Sequence, residues 1–275
     1  MGIIRRQGLK TLVASYLGMG LGLVNVLVLY PKFLEPAEFG LVRVLTQSAM
    51  LFMGLAQLGL PNLAVRFFPE FRNPSAGHHG FLMLLMLYPL LGGTLFTALF
   101  FGFKDGYISA YEDQSPLLVG FYAYVPLYMF LLLLNQVFES YAKVHARVAL
   151  PVMLREAGWR LGNGLLVLGV GLGVLQLIDL LNGLVLVYLL ALLALVGYLM
   201  ANGWFHWRPA FAHLSKPLLR RMLNFGVITS LSGISVRLAN RIDILMIPAF
   251  LGLEPVAIYS VALMIGSVLR IPGGA

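Results

Sequence analysis

The chain has 275 residues, of which 60% are hydrophobic and only 11% are charged, and its mean hydropathy is +0.88. An ordinary soluble domain has about 25% charged residues, so this composition predicts a protein whose surface faces a lipid bilayer. The net charge is +8, but the basic residues are scattered over short connectors, which excludes a nucleic-acid-binding surface, and the lack of cysteine excludes disulfides, thiolate metal sites and cysteine nucleophiles.

Apolar runs long enough to span a bilayer recur along the whole chain. A spanning helix needs roughly 20 mostly apolar residues. The first run follows the basic start MGIIRRQGLK and continues to Tyr30 without a small-residue cleavage site, so it predicts an uncleaved membrane helix rather than a signal peptide. The sequence thus predicts an all-α, polytopic transmembrane bundle with eight candidate spans, at about 11–31, 39–61, 80–103, 117–139, 158–178, 180–203, 222–250 and 255–273.

The charges of the connectors predict the orientation of these spans. Cytoplasmic connectors of membrane proteins carry an excess of Lys and Arg. With the N-terminus in the cytoplasm, thirteen of the 19 basic residues fall on the cytoplasmic side, whereas Lys32 and Lys104 are the basic residues of the opposite connectors. We therefore expect a multi-pass protein of the cytoplasmic membrane with its N-terminus inside. The thirteen residues are Arg5, Arg6, Lys10, Arg66, Arg72, Lys143, Arg147, Arg155, Arg160, Arg208, Lys216, Arg220 and Arg221.

A repeat divides the chain. PKFLEPAEFGLV at 31–42 follows the first span, and PAFLGLEPVAIYSV at 248–261 follows the seventh; with a two-residue insertion they align at an offset of 217 residues. A parallel repeat of this kind predicts a first six-helix lobe at 1–215 and the first two helices of a second lobe at 216–275. The second lobe is then incomplete, and we expect a longer complete protein. A lone helix pair added to a six-helix bundle is the alternative.

Ionisable residues inside the predicted spans are candidate functional residues, because a charge at bilayer depth costs about 2.5 kcal/mol or more. At about 100° per residue, the seventh and the second spans each place a polar stripe on a single face. We expect the two stripes to line a polar cavity. The alternative is that Arg43 extends to the interface and that Arg237 and Arg241 pair with carboxylates. The stripes consist of Ser230, Gly233, Arg237, Asn240 and Arg241, and of Arg43, Gln47, Gly54, Gln57 and Pro61.

Asp243 lies on a different face of the seventh span. On a continuous helix it is about 240° round from Arg237, so it needs a partner on another helix, water or a proton, and it is a candidate for ion or proton coupling. At the offset of the repeat, Arg237 and Arg241 correspond to Gly20 and Val24 of the first span. The scaffold therefore does not require these charges, which favours a functional role for them.

Signals for an enzyme are weak. GVGLGV at 169–174 lies in an apolar run with no preceding strand, so its glycines are typical of close helix packing rather than of a phosphate loop. His78 and His79 are adjacent in a connector and lack the spacing of metal ligands, and His145, His206 and His213 lie among other basic connector residues. We expect neither catalysis nor a metal nor another cofactor.

Two segments carry a resemblance to a known family. The P-x-F-L…E-P-A turn after the first span and the N-R-x-D…F-L-G-L-E-x-x-x-x-Y-S segment around the seventh and eighth resemble bacterial oligosaccharide flippases of polysaccharide and lipopolysaccharide biosynthesis. These belong to the superfamily of multidrug, oligosaccharidyl-lipid and polysaccharide exporters. The resemblance implies two six-helix lobes around a cavity, and a lipid-diphosphate-linked oligosaccharide carried from the cytoplasmic to the outer leaflet by alternating access. It also implies that Arg237 and Arg241 bind the diphosphate, with Arg43 on the cavity wall.

Two other functions compete with this interpretation. A cation-coupled multidrug exporter of the same superfamily would favour carboxylates in its cavity, whereas Asp243 is the one acid well inside a predicted span. A membrane-embedded glycan transferase would need a carboxylate or histidine cluster or a larger polar loop than 104–116. The expected partners are a polyprenyl-diphosphate-linked oligosaccharide and membrane lipids, with polysaccharide polymerase machinery as a further candidate and no nucleic acid.

Overall fold

The structure is a computed structural model that describes residues 2–207, 214–239 and 241–269. Every regular element in these ranges is helical, which confirms the all-α prediction. Two helices contain π-helical segments, Asn25–Leu29 and Leu154–Gly158, and Gly77–Gly80 forms a 3₁₀ turn. The α-helices are α1 (Gly2–Val24), α2 (Tyr30–Phe33), α3 (Pro36–Ala56), α4 (Leu60–Phe71), α5 (Phe81–Gly102), α6 (Lys104–Tyr111), α7 (Pro116–Gly120), α8 (Tyr124–Val144), α9 (Ala149–Met153), α10 (Trp159–Gly171), α11 (Leu177–Ala201), α12 (Lys216–Ala239), α13 (Ile242–Phe250) and α14 (Leu253–Leu269).

Four helical stretches in the described ranges are long and apolar enough to cross a membrane: Gln7–Phe33, Pro36–Phe71, Gly77–Gly102 and Leu177–Ala201. They correspond to the first, second, third and sixth predicted spans. Three of the other four predicted spans are helical only in part: residues 121–123 of the fourth and 172–176 of the fifth form turns or loop, and the seventh is interrupted at Arg241. The eighth is a continuous helix, α14, as far as the structure describes it. The described chain is therefore an all-helical membrane protein.

The second span is longer than predicted and is broken in its middle. The sequence predicted a helix over 39–61, whereas α3 and α4 together run from Pro36 to Phe71. Between them Leu58 and Gly59 have positive φ angles of 47° and 73°. Pro61 lies in the first turn of α4, where backbone N–H groups have no partner within the helix, so the N–H that proline lacks breaks no hydrogen bond. The proline therefore begins a helix and does not bend one.

The seventh span is not the single helix that the sequence predicted over 222–250. α12 ends at Ala239 and α13 begins at Ile242, and Arg241 between them has a non-helical backbone, with φ −140° and ψ −5°. The helical-wheel argument that placed Asp243 about 240° round from Arg237 is therefore wrong, because it assumed an unbroken helix. Arg241 instead lies at the start of a new helix.

The core lies around α8, which packs against α3, α4, α5 and α11. Tyr128 on α8 is fully buried and donates a hydrogen bond from its hydroxyl to the carbonyl of Leu181 on α11, at 2.8 Å. Asn135, about two turns further along, donates from Nδ2 to the carbonyl of Tyr188, at 3.1 Å. Each buried polar side chain thus joins the same two helices, which fixes their register.

Helices α3 and α14 pack closely against each other, and they are the two helices that follow the repeated turn. A Cβ on Gly40 of α3 would collide with the carbonyl of Leu253 at the start of α14, so the two backbones touch there. Arg43 and Ser260, which lie 217 positions apart, are hydrogen-bonded across this contact. The division into lobes at 215/216 stays a prediction.

Candidate functional site

A cavity of about 530 Å³ lies among α1, α3, α8, α10, α11 and the start of α13. This volume is within the range of about 300–1,000 Å³ that small-molecule sites occupy. Its polar lining comes from residues far apart in sequence. They are Asn25, Tyr30, Arg43, Thr46, Gln47, Gln136, Glu139, Arg155, Glu156, Trp159, Arg160, Asn163, Tyr188 and Arg241.

Arg43 and Arg241 face this cavity together. The Arg43 Nε donates a hydrogen bond to the Ser260 hydroxyl at 3.2 Å, and Arg241 is close enough for its charge to act on Arg43. No carboxylate in the described part of the chain lies within ion-pair distance of either guanidinium. The two side chains are therefore like charges that repel each other across a shared cavity, and an anion between them would relieve that repulsion.

A second set of charges lines the cavity in a chain of ion pairs. Glu139, which is only 4% exposed, accepts from Lys143 Nζ at 2.7 Å and from Arg155 Nη1 at 2.6 Å. The Nε of Arg155 also forms an ion pair with Oε1 of Glu156 at 3.1 Å. The other carboxylate oxygen of Glu156, Oε2, forms an ion pair with Nη1 of Arg160 at 3.0 Å. Both carboxylates are thus already neutralised by cations.

The cavity wall consequently has a positive balance. Four arginines and two glutamates of the described residues line it, a net charge of +2. The excess corresponds to Arg43 and Arg241, since Arg155 and Arg160 are matched by Glu139 and Glu156. An anion with two negative charges would balance the site.

Two π-helical segments meet at this cavity. Asn25 lies at the start of the segment Asn25–Leu29 and donates from Nδ2 to the carbonyl of Arg160 at 2.6 Å, two residues after the segment Leu154–Gly158. A Cβ on Gly164 would lie 2.6 Å from the Asn25 Oδ1, so the contact needs a glycine on α10. π-segments re-aim side chains and are frequent at functional sites. Here they turn Asn25, Arg155 and Glu156 toward the cavity.

Several buried polar atoms of the cavity lining have no hydrogen-bond partner in the described part of the chain. They are Gln47 Oε1, Trp159 Nε1 and Asn163 Oδ1. A buried polar atom without a partner costs roughly 1–3 kcal/mol, so a ligand or ordered water is expected to satisfy these atoms. Together they provide both a hydrogen-bond donor, the indole, and acceptors.

The structure brings three of the sequence-predicted site residues together: Arg43, Gln47 and Arg241 all line the cavity. Gln57 is buried but lies outside this lining, at the break between α3 and α4, where its Nε2 donates to the carbonyl of Gly54 at 3.4 Å. Asn240 and the side chain of Arg237 lie outside the described residues, so their predicted roles stay predictions.

Asp243 also lies outside the cavity lining. Its Oδ2 accepts a hydrogen bond from the Tyr259 hydroxyl on α14 at 2.6 Å, and the pair is exposed. Of the three partners that the sequence left open for Asp243, another helix, water or a proton, the structure shows a hydroxyl group on another helix. An ion-coupling role for Asp243 stays a prediction.

Sequence reasoning missed Glu139, Arg155, Glu156 and Arg160 as cavity residues. It assigned the two arginines to a cytoplasmic connector on the basis of their charge. A signal was present, since Glu139 and Lys143, and Glu156 and Arg160, have the i,i+4 spacing of helical ion pairs. Such pairs indicate that the helices continue through this region, as α8 and the stretch from α9 to α10 do.

A family model described as polysaccharide biosynthesis protein matches residues 4–271. The chain belongs to this family. No curated protein and no solved structure matches it. Membership covers nearly the whole chain, including both copies of the repeat and every described residue of the cavity. The protein is thus a membrane protein of polysaccharide biosynthesis, and its cavity is the candidate site of that role.

Proposed function

We propose that this member of the polysaccharide biosynthesis family moves a lipid-diphosphate-linked oligosaccharide from the cytoplasmic to the outer leaflet of the bacterial cytoplasmic membrane. Its Arg43 and Arg241 bind the diphosphate. The sugars occupy the rest of the cavity, and the helices rearrange to open it alternately to each side. The protein performs no chemical reaction and needs no cofactor, and polysaccharide polymerase machinery is its downstream partner.

The observation that carries the proposal is a pair of cavity arginines, Arg43 and Arg241, that have no carboxylate partner among the described residues. A guanidinium binds two oxygens of a phosphate at once, and a diphosphate has enough oxygens for two guanidinium groups. The net charge of +2 on the cavity wall balances the charge of −2 that a diphosphate diester carries, one negative charge on each phosphate. Both arginines lie inside a helical membrane protein, where burying a charged side chain without a partner is energetically costly. Such residues commonly mark a substrate or ion pathway.

A cation-coupled multidrug exporter is less consistent with the cavity. A cationic drug would need a carboxylate that is free to bind it. Glu139 and Glu156 are each held by two basic side chains, and Asp243 is bound to Tyr259 away from the cavity. The charge arrangement therefore supports an anionic substrate.

Replacing the arginines tests the proposal. We expect Arg43→Gln and Arg241→Gln, made separately in the protein as its host expresses it, to abolish surface polysaccharide while the protein is still inserted in the membrane. Each should also weaken the binding of undecaprenyl diphosphate by at least about tenfold, because a hydrogen bond to a charged group contributes about 1.5–3 kcal/mol. Lysine at either position should retain part of the function, because it keeps the charge but not the bidentate geometry.

Arg220→Gln is the matched control, because Arg220 is an exposed arginine at the start of α12, remote from the cavity lining. Its polysaccharide export and ligand affinity should equal those of the unaltered protein. Normal export by Arg43→Gln and Arg241→Gln would contradict the assignment of the diphosphate site.

A further inference from the structure

A second polar pocket, of about 510 Å³, lies where α4, α8 and α11 end. The connectors that follow these three helices form it, and the charge distribution predicts that all three lie on the cytoplasmic side. Its polar and aromatic lining includes Phe68, Arg72, His78, His145, Trp204 and His206. The pocket is separate from the cavity of the proposed function, and the inference below does not depend on that function.

Three imidazole rings come together in this pocket. The ring centre of His78 lies 5.3 Å from that of His145 and 5.9 Å from that of His206. His145 stacks flat on Trp204, with 4.7 Å between ring centres and 2° between planes. A Cβ on Gly77, whose φ is +57°, would lie 3.2 Å from the His206 ring, so a glycine is needed beside it. The histidines are thus held in place by their neighbours.

Two imidazole nitrogens of the cluster are buried and have no hydrogen-bond partner among the residues that the structure describes. They are Nδ1 of His78, a residue only 5% exposed, and Nε2 of His145. The Nδ1 of His206 lies 3.2 Å from the carbonyl of Trp204, which it satisfies. Within the described ranges no group of three possible ligands is placed to hold a metal ion. The free nitrogens are therefore available to a ligand that accepts hydrogen bonds from protonated imidazole.

The surroundings of these histidines are positive. Arg72 lines the pocket, and the Arg147 guanidinium lies 5.9 Å from the centre of the Trp204 ring. Among the described residues, His79 and Tyr141 are further titratable groups beside the cluster. No carboxylate is among the described residues that line the pocket, and the nearby Glu70 is bound to Arg221 at 2.6 Å.

The helix ends do not neutralise this charge. The carbonyl of Ala142 at the end of α8 accepts from the Arg147 N–H at 3.2 Å, and the carbonyl of Leu199 at the end of α11 accepts from the Trp204 N–H at 2.9 Å. These carbonyls, which would otherwise favour cations, are satisfied by the chain itself. Burial, and then the nearby His78, His206 and Arg72, lower the pKa of His145 to about 4. The imidazole is neutral near pH 7, and an anion beside it would raise its pKa again.

We propose that this pocket binds a phosphate group through Arg72 and the imidazoles of His78 and His145. Basic pockets between membrane helices on the cytoplasmic side bind anionic lipid headgroups, and a soluble phosphate offers the same oxygens. Binding takes up a proton on the imidazole cluster, because protonated imidazole donates a charge-assisted hydrogen bond. The affinity for phosphate therefore rises as the pH falls.

The test uses the purified chain with two probes. Native mass spectrometry compares retained phosphatidylglycerol with phosphatidylcholine, and ³¹P NMR titration measures inorganic phosphate. We expect at least one anionic probe to bind about tenfold more tightly at about pH 5.5 than at about pH 7.5, the range in which an imidazole changes its charge. Preference for phosphatidylglycerol alone identifies a lipid headgroup as the ligand, and binding of inorganic phosphate identifies a soluble one.

Variants locate the site. Arg72→Gln and His145→Phe should weaken that binding about tenfold, and His145→Phe should remove most of its pH dependence while the ring still packs on Trp204. His79→Phe is the control, because His79 is in the same turn as His78 but does not line the pocket. Equal affinity in all variants, or no preference of the unaltered chain for either anion, would overturn the proposal.

If the variants fail to fold, a measurement on the unaltered chain still tests the proposal. The pKa of His145, followed by the NMR signal of its ring carbon, should rise when the bound probe is added. An unchanged His145 pKa in the presence of saturating probe would equally overturn the proposal.

Discussion

Glu139 is the residue on which the charged wall of the cavity depends. It is buried, and its Oε1 accepts from both Lys143 and Arg155. Glu139→Gln keeps the shape but removes the carboxylate that pairs with Lys143 and one of the two carboxylates that pair with Arg155, so we expect a loss of about 1–3 kcal/mol in the free energy of unfolding. The midpoint of thermal unfolding in detergent should fall by several degrees.

Glu112→Gln provides the comparison for this change. Glu112 is an exposed glutamate after α6, and its substitution should leave the unfolding midpoint unchanged. A midpoint for Glu139→Gln equal to that of Glu112→Gln would show that the ion pairs contribute nothing to stability. Surface pairs often contribute little, so burial of Glu139 is what distinguishes this case.

At the scale of elements, α1 offers a matched pair of glycines. A Cβ on Gly18 would overlap the backbone carbonyl of Glu156, which cannot turn aside, whereas a Cβ on Gly20 would meet nothing within 4 Å. We expect Gly18→Ala to destabilise the protein by about 1–3 kcal/mol through overpacking. Gly20→Ala should stabilise it or leave it unchanged, since alanine is favoured over glycine in a helix by about 1 kcal/mol.

The two glycine variants can be compared by thermal unfolding under identical conditions. Gly18→Ala should also lower the affinity of the cavity for undecaprenyl diphosphate, because it pushes α1 away from the π-segment that holds Arg155 and Glu156. Equal stability of the two variants would mean that α1 and the helix from α9 to α10 are not in close contact.

At the scale of the whole molecule, the orientation in the membrane can be tested directly. The chain has no cysteine, so single cysteines at Ser75 and Asp113 are unambiguous labels. Both positions are exposed, and the 22-residue helix α5 (Phe81–Gly102) lies between them, about 33 Å long at 1.5 Å per residue. This exceeds the roughly 30 Å of the hydrocarbon core, so the two positions should lie on opposite sides.

We expect an impermeant maleimide to label Asp113→Cys in intact cells, and Ser75→Cys only after the membrane is permeabilised. The reverse pattern would place the N-terminus outside. Labelling of both cysteines in intact cells would mean that this helix does not span the membrane, and labelling that is absent even in permeabilised cells would contradict their exposure.

The sequence by itself determined the class of the protein and part of its candidate site. Its low content of charged residues, 11%, indicated a bilayer. Only helices satisfy their backbone hydrogen bonds within one segment there, so the composition predicted an all-α membrane protein. Arg43, Gln47 and Arg241 were found from the sequence because polar residues are conspicuous in apolar runs. Their spacing then indicated which of them share a face, although the break at Arg241 lay beyond that reasoning.

Only the tertiary structure decided where the chain breaks and which charges meet. Leu58 has no feature that predicts its positive φ; the break beside it is set by Gly59, where a Cβ would collide with Thr229 and Gly226 of α12. Arg155 and Arg160 were assigned to a connector, and Glu139 lay at the end of a predicted span, whereas the tertiary structure places all three on the cavity wall. The periodicity of a sequence identifies which residues share a face of one helix. A cavity and its charge balance depend instead on contacts among several helices, which come from distant parts of the chain.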